Sequence, residues 1–195
     1  MHLEKTKKMN NNHNKQTYTI TAFSENHIGL LNRITIIFTR RQVNIESLTV
    51  SASAIEGLHK FTIVVFETEE KVMKVVTQIE KMVEVLKAFY HTDDKIIHQE
   101  IALYKVPTEE LLESTNIEQI VRQHNARILE VTKEYTVIEK TGHKEETQKL
   151  FDELKPYGVK QFTRSGRIAI TKLSQELLTN YLNEMDRREK ELLNN

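Results

Sequence analysis

Two asparagines and a glycine carry the most specific chemistry in this chain. In the stretch FSENHIGLLNRITIIFTRRQVNIESLTV, residues 23–50, Asn26 stands three residues before Gly29, and Asn44 opens the next strand-like run. Leu30, Ile34, Ile37 and Phe38 recur at i, i+4, i+7 and i+8, which predicts a helix beginning at Gly29. A helix entered through Asn and Gly points unpaired backbone N–H groups outward at its positive end. That arrangement suits a small anion, including the carboxylate of a free amino acid. An asparagine amide offers both donor and acceptor, so Asn26 and Asn44 can meet an ammonium as well as a carboxylate. The plainer reading is structural: Asn26 caps the helix, Gly29 eases a turn, and Asn44 shapes the loop before its strand. Local chemistry leaves both readings open.

No rival site competes with this one. An active site needs a nucleophile with a base, a metal cluster or a cofactor cradle. The eight histidines are scattered, and no pair at i, i+4 has a third ligand nearby. Cysteine is absent, which removes disulfides, thiol nucleophiles and cysteine metal sites. With five glycines there is no glycine-rich phosphate loop, and no GxGxxG, Walker A or nucleophile elbow occurs. Acidic residues sit mostly beside lysines on solvated helix faces. Catalysis by this chain alone is therefore not expected, and neither is a metal site.

The elements that position the loop follow in order. Thr17–Phe23 reads as a strand, then the helix from Gly29 to the cations Arg40 and Arg41, then a strand Val43–Ser53. The apolar phase of that strand slips near Glu46 and Ser47, which predicts a bulge. Lys60–Phe66 is apolar on both faces, as in the middle of a covered sheet. Val72, Val75, Val76, Ile79 and Val83 predict a second helix, and Val85–His91 a fourth strand. The order βαββαβ predicts a ferredoxin-like two-layer sandwich, with helices on one face and an edge strand open to dimerisation.

Residues 92–95 form the expected junction. Ile96–Val106 is a strand with Ile97, Ile101 and Leu103 on one face, stopped by Pro107. Thr108 then suits a short helical turn with Leu111 and Leu112, and Asn116 with Gln119 a capping box. Strands at Arg127–Thr132 and Tyr135–Glu139, residues 140–142 leading to a helix through Thr147, Leu150, Phe151 and Leu154, and a strand at Val159–Thr163 complete βαββαβ a second time, after which residues 164–166 turn into Ile168–Ile170. The expected fold is α+β, two ferredoxin-like sandwiches in tandem. Residues 1–16 read as a disordered polar tail, 17–94 and 95–172 as the two domains, and 173–195 as a helical extension with Leu177, Leu178, Tyr181, Leu182 and Met185 on one stripe.

The 195 residues suffice for two small domains. Lys plus Arg and Asp plus Glu number 28 each, so the zero net charge argues against broad binding to nucleic acid or anionic membrane. No apolar run approaches the roughly 18 residues that span a bilayer. The N-terminus has no apolar core of a secretory signal. A soluble cytoplasmic protein is expected.

The stretch SENHIGLLNRITIIFTRRQVNIESLTV, followed by HKFTIVV, VEVLKAFYHT, QEIALYKV and RSGRIAITK, resembles the small, regulatory subunit of acetolactate synthase (acetohydroxyacid synthase). The resemblance covers roughly residues 17–172. It implies that the first domain is an ACT domain, that the chain forms a homodimer through it, and that its partner is the catalytic large subunit. It also implies activation of that subunit and feedback inhibition by branched-chain amino acids, chiefly valine, in valine, isoleucine and leucine biosynthesis. Thiamine diphosphate, Mg and FAD are then expected on the large subunit and no cofactor on this chain. By the family pattern Asn26, His27, Ile28, Gly29 and Leu30 of one protomer and Asn44 of the other form the valine site. His27 and Ile28 stand where Glu and Ala are common. The competing expectation is a free-standing amino-acid sensor acting on another protein. RNA binding, which the same fold also supports, lacks the aromatic strand pattern it requires.

Overall fold

Alternating and helical patterning close into two sandwiches, each with two helices on one face of an antiparallel sheet. The computed structural model describes residues 15–109 and 115–173, together with Leu178, Asn180, Asn183 and Arg187. In order, the first half holds β1 (Lys15–Glu25), α1 (Leu30–Arg40), β2 (Ile45–Ala52), β3 (Leu58–Thr68), α2 (Glu69–Glu80) and β4 (Val85–Thr92). The second holds β5 (Ile96–Pro107), α3 (Thr115–Gln123), β6 (Arg127–Val131), β7 (Tyr135–Gly142), α4 (Lys144–Leu154), β8 (Gln161–Arg164) and β9 (Ile168–Thr171). The sheets run β2-β3-β1-β4 and β6-β7-β5-β8, the same ferredoxin-like order twice, with β9 paired to β5 off that path. Compactness divides the chain into one unit of residues 1–97 with 169–195 and another of 98–168.

In the first unit Tyr18, Ile20 and Ala22 of β1 and Phe61, Ile63 and Val65 of β3 face the helices. Leu30, Ile34, Ile37 and Phe38 of α1 and Val72, Val75, Val76 and Ile79 of α2 cover them. All eight helix residues are buried. This is the expected helical stripe laid on one face of the sheet. The expected bulge is present: the β2–β3 register shifts between Ile45 and Ser47. Phe61–Val65 are buried throughout, as a strand covered on both faces requires. Glu67, buried at the far end of β3, accepts from Lys15 Nζ (2.7 Å) and Lys71 Nζ (3.1 Å).

Several sequence expectations are corrected. Lys15 and Gln16, assigned to the tail, pair with Thr68 and Glu67 in the ladder. Val83 lies beyond α2 and is 98% exposed. The chain turns there through Met82 N to Ile79 O and Val85 N to Met82 O, and Met82 packs on the core in its place. Ile97, Ile101 and Leu103 share one face of β5 as expected, and the core takes the other face through Ala102, Tyr104 and Val106. Both faces of β5 are apolar, and the tie was broken by Tyr104, whose hydroxyl donates to Thr147 O across the core (2.6 Å). Residues 140–142 extend β7, since the ladder to β5 runs as far as Gly142. The strand expected at Val159–Thr163 runs instead from Gln161 to Arg164. Asn116 falls inside α3 rather than before it. Leu111, Leu112, Leu177, Tyr181, Leu182, Met185 and residues 1–14 lie outside the described residues, whereas Leu178 is helical and buried.

The first helix of each unit ends in the same way. Val43 N bonds Phe38 O and Gln42 N bonds Thr39 O, while Ala126 N bonds Val121 O and Asn125 N bonds Arg122 O. These are Schellman pairs, which place the residue past the cap in the left-handed region. Gln42 (φ +53°) and Asn125 (φ +49°) occupy it. Asparagine tolerates that conformation, whereas glutamine bears the Cβ–carbonyl clash. Gln42→Gly is therefore expected to stabilise the protein by about 1 kcal/mol, read as a rise in the denaturant midpoint without a change in slope.

Candidate functional site

The loop from β1 to α1 is built on a single left-handed residue. Gly29 is the N-cap of α1 at φ +82°, and no side chain caps this helix. A Cβ on Gly29 would meet nothing within 4 Å, so the requirement for glycine is one of backbone conformation, not space. Leu30 N bonds His27 O (3.2 Å) and Arg33 N bonds Gly29 O (3.2 Å), which closes the loop into the first helical turn.

The structural explanation of Asn26 fails at this point. It does not cap α1, it is exposed, and it has no hydrogen-bond partner among the described residues. His27 is exposed, and its Nδ1–H donates to the Ile28 carbonyl (3.1 Å). Ile28 is 98% exposed, an apolar side chain held in water with nothing of its own fold against it. Leu30 is the opposite case: its side chain lies in the core beside Ile34 and Phe38, leaving its backbone to the loop.

A brace that sequence reasoning missed holds this loop. Glu25 N donates to Glu84 O (3.0 Å), and Arg33 Nη2 pairs with Glu84 Oε1 (2.5 Å). The Arg33 hydrogen bond is the chief reason the Glu84 carboxyl sits below its ordinary pKa. Arg33 and Glu84 are 51 positions apart, so no local pattern announces the pair.

Asn44 lies elsewhere in the protomer. It is exposed, with its Nδ2 donating to Glu46 Oε1 (3.1 Å). Asn26 follows the end of β1, where Glu25 pairs with Leu58, whereas Asn44 precedes Ile45, which pairs with Val65. The two asparagines therefore sit at opposite ends of the sheet, separated by about seven residues of strand, roughly 23 Å. They do not meet within one chain. Strand β2 is an edge of its sheet, and two-fold, antiparallel pairing of two such edges reverses direction. It would bring the Asn26 end of one protomer to the Asn44 end of the other.

No group of three or more metal-ligating side chains occurs among the described residues. Likewise no helix among them is long and apolar enough to cross a membrane.

A βαββαβ sandwich entered through an αL glycine defines a class, and residues 20–87 match the family model of the acetolactate-synthase small-subunit-like ACT domain. Residues 99–173 match the model described as the small subunit of acetolactate synthase. The acetolactate synthase small subunit of Bacillus subtilis is 35% identical over 163 residues, covering 83% of this chain and 93% of that one. The probable acetolactate synthase small subunit of Archaeoglobus fulgidus is 34% identical, covering 80% and 96%. The crystal structure of the small subunit from Thermotoga maritima superposes with a TM-score of 0.74 at 26% identity, over 82% of this chain and 99% of that one. The chain belongs to the acetolactate synthase small-subunit family.

Proposed function

We propose that this protein is the regulatory subunit of acetolactate synthase, binding the catalytic large subunit, raising its activity and conferring feedback inhibition by valine. The observation that carries this reading is the match to a small subunit over 93% of that relative's length, both units included. In this reading thiamine diphosphate, Mg and FAD act on the large subunit, and this chain supplies no catalytic group. The chain works as a homodimer paired through its first unit, with two effector pockets related by the two-fold axis.

Each pocket takes the loop 26–29 from one protomer and Asn44 from the other. The backbone at the start of α1 receives the valine carboxylate at the positive end of the helix. The two asparagine amides meet its ammonium and carboxylate, and Ile28 closes on the branched side chain. Burying the methyl groups favours valine over alanine by roughly 1–3 kcal/mol. A ligand at such an interface shifts the dimer only through its differential affinity for two arrangements. A coupling of about 1–3 kcal/mol gives roughly five- to 150-fold modulation.

Reconstitution tests this. Adding the purified chain to a cognate large subunit is expected to raise acetolactate formation, and valine is expected to reverse the gain. Unchanged turnover in both conditions would rule the reading out, and valine binding without any effect on the synthase would favour a free-standing sensor.

A further inference from the structure

The turn that leads into α1 also fixes the state of a histidine. Gly29, at φ +82° and ψ −4°, is the third residue of a type II turn closed by Leu30 N to His27 O (3.2 Å). The His27 ring folds back on this turn, its Nδ1 3.1 Å from the Ile28 carbonyl oxygen. A carbonyl only accepts, so Nδ1 carries the proton. In the neutral ring that choice of tautomer leaves Nε2 with a lone pair, an acceptor. His27 is exposed and makes no other hydrogen bond among the described residues. The charged groups around it are Glu25 at the end of β1, Arg33 of α1 and Glu84 before β4. The Glu84 carboxyl is held below its ordinary pKa chiefly by the Arg33 hydrogen bond, and His27 acts on it in the same direction.

An amino acid carries its ammonium on the carbon next to its carboxylate. With the carboxylate at the positive end of α1, the ammonium comes to rest beside the same loop. It has three N–H donors to satisfy. Asn26 and Asn44 of the other protomer offer one side-chain oxygen each, two acceptors at most. The carbonyls of residues 27–29 are already engaged: His27 O by Leu30 N, Ile28 O by the His27 ring, and Gly29 O by Arg33 N. Within the loop the remaining side-chain acceptor is His27 Nε2.

We propose that His27 is the residue by which the effector pocket selects an amino acid over the corresponding 2-oxo acid, its Nε2 accepting from the α-ammonium. This inference rests on the effector reading above. A 2-oxo acid of the same skeleton keeps the carboxylate and the branched side chain. It sets a carbonyl oxygen where the ammonium stood, so two acceptors meet with no proton between them. Protonation of the ring reverses both preferences. The imidazolium repels the ammonium, and its Nε2–H donates to the oxo group. Acid therefore weakens the amino acid and strengthens its 2-oxo counterpart.

The test is calorimetric titration of the full chain with valine and with 3-methyl-2-oxobutanoate, each at pH 7.5 and at pH 5.5. The parent is expected to prefer valine at pH 7.5 and to lose about tenfold of that preference at pH 5.5, the equivalent of one hydrogen bond to a charged group. His27→Ala is expected to lose about tenfold in valine affinity at pH 7.5 and to bind the 2-oxo acid no more weakly than the parent. His27→Gln, which keeps an acceptor and does not titrate, is expected to hold valine at both pH values. The ring is exposed, so thermal melts of the parent and both variants are expected to coincide. Equal valine binding by the parent and His27→Ala, or a preference in the parent that ignores pH, would overturn the proposal and leave the effector reading standing. A parent that binds no valine at all would overturn both.

Discussion

Asn26→Ala and Asn44→Ala are each expected to abolish inhibition by valine while leaving activation of the large subunit intact. Neither side chain supports the fold. Asn26 has no partner among the described residues, and Asn44 makes only an exposed 3.1 Å contact with Glu46. Truncation of either is expected to alter stability by less than about 0.5 kcal/mol. In the pocket each amide faces a charged group of the ligand, and hydrogen bonds to charged groups contribute about 1.5–3 kcal/mol. The loss is therefore roughly 10- to 150-fold in valine affinity. The measurement is a valine titration of the reconstituted synthase beside a thermal melt of the variant alone. Full inhibition in both variants would place the effector elsewhere.

Leu30→Ala and Ile28→Ala are expected to separate cleanly, although the residues lie two apart. Leu30 is 2% exposed and packs with Ile34 and Phe38. Its truncation opens a core cavity and is expected to cost about 2–5 kcal/mol. Ile28 is 98% exposed, so its truncation is expected to leave the denaturant midpoint in place and to weaken valine alone. Urea unfolding and the valine titration, run on both variants, check this. An unstable Ile28→Ala or a stable Leu30→Ala would mean that the loop is built differently.

The same loop shows what the chain's letters disclose and what they hide. The stripe Leu30, Ile34, Ile37, Phe38 fixes the helix and its buried face, because a helix offers one apolar face and water takes the others. Residues 17–23 and 60–66 mark the central strands for the same reason, through alternation and through continuous apolar composition. In β5, where both faces are apolar, alternation has no preferred phase, and Tyr104 decided it through a contact 43 positions away. Val83 continued a helical pattern past the point where the chain turned, because turn hydrogen bonds leave no periodic trace. At the site, Gly29 was legible because the αL entrance demands a residue type. The Arg33–Glu84 brace was not, since it joins segments that neither share a period nor lie near each other in the chain. The distance between Asn26 and Asn44 emerges only from strand register, and it makes the second protomer a necessity for any pocket that uses both.

That necessity gives the most direct test. Valine inhibition is measured with Asn26→Ala alone, with Asn44→Ala alone, and with the two variants mixed after dissociation and reassociation. In a random equal mixture about half of the dimers are hybrids, and two-fold symmetry gives each hybrid one pocket with both asparagines intact. Partial inhibition is therefore expected to return in the mixture although neither variant shows any. A mixture as insensitive as its components would contradict a pocket shared between two copies of the chain.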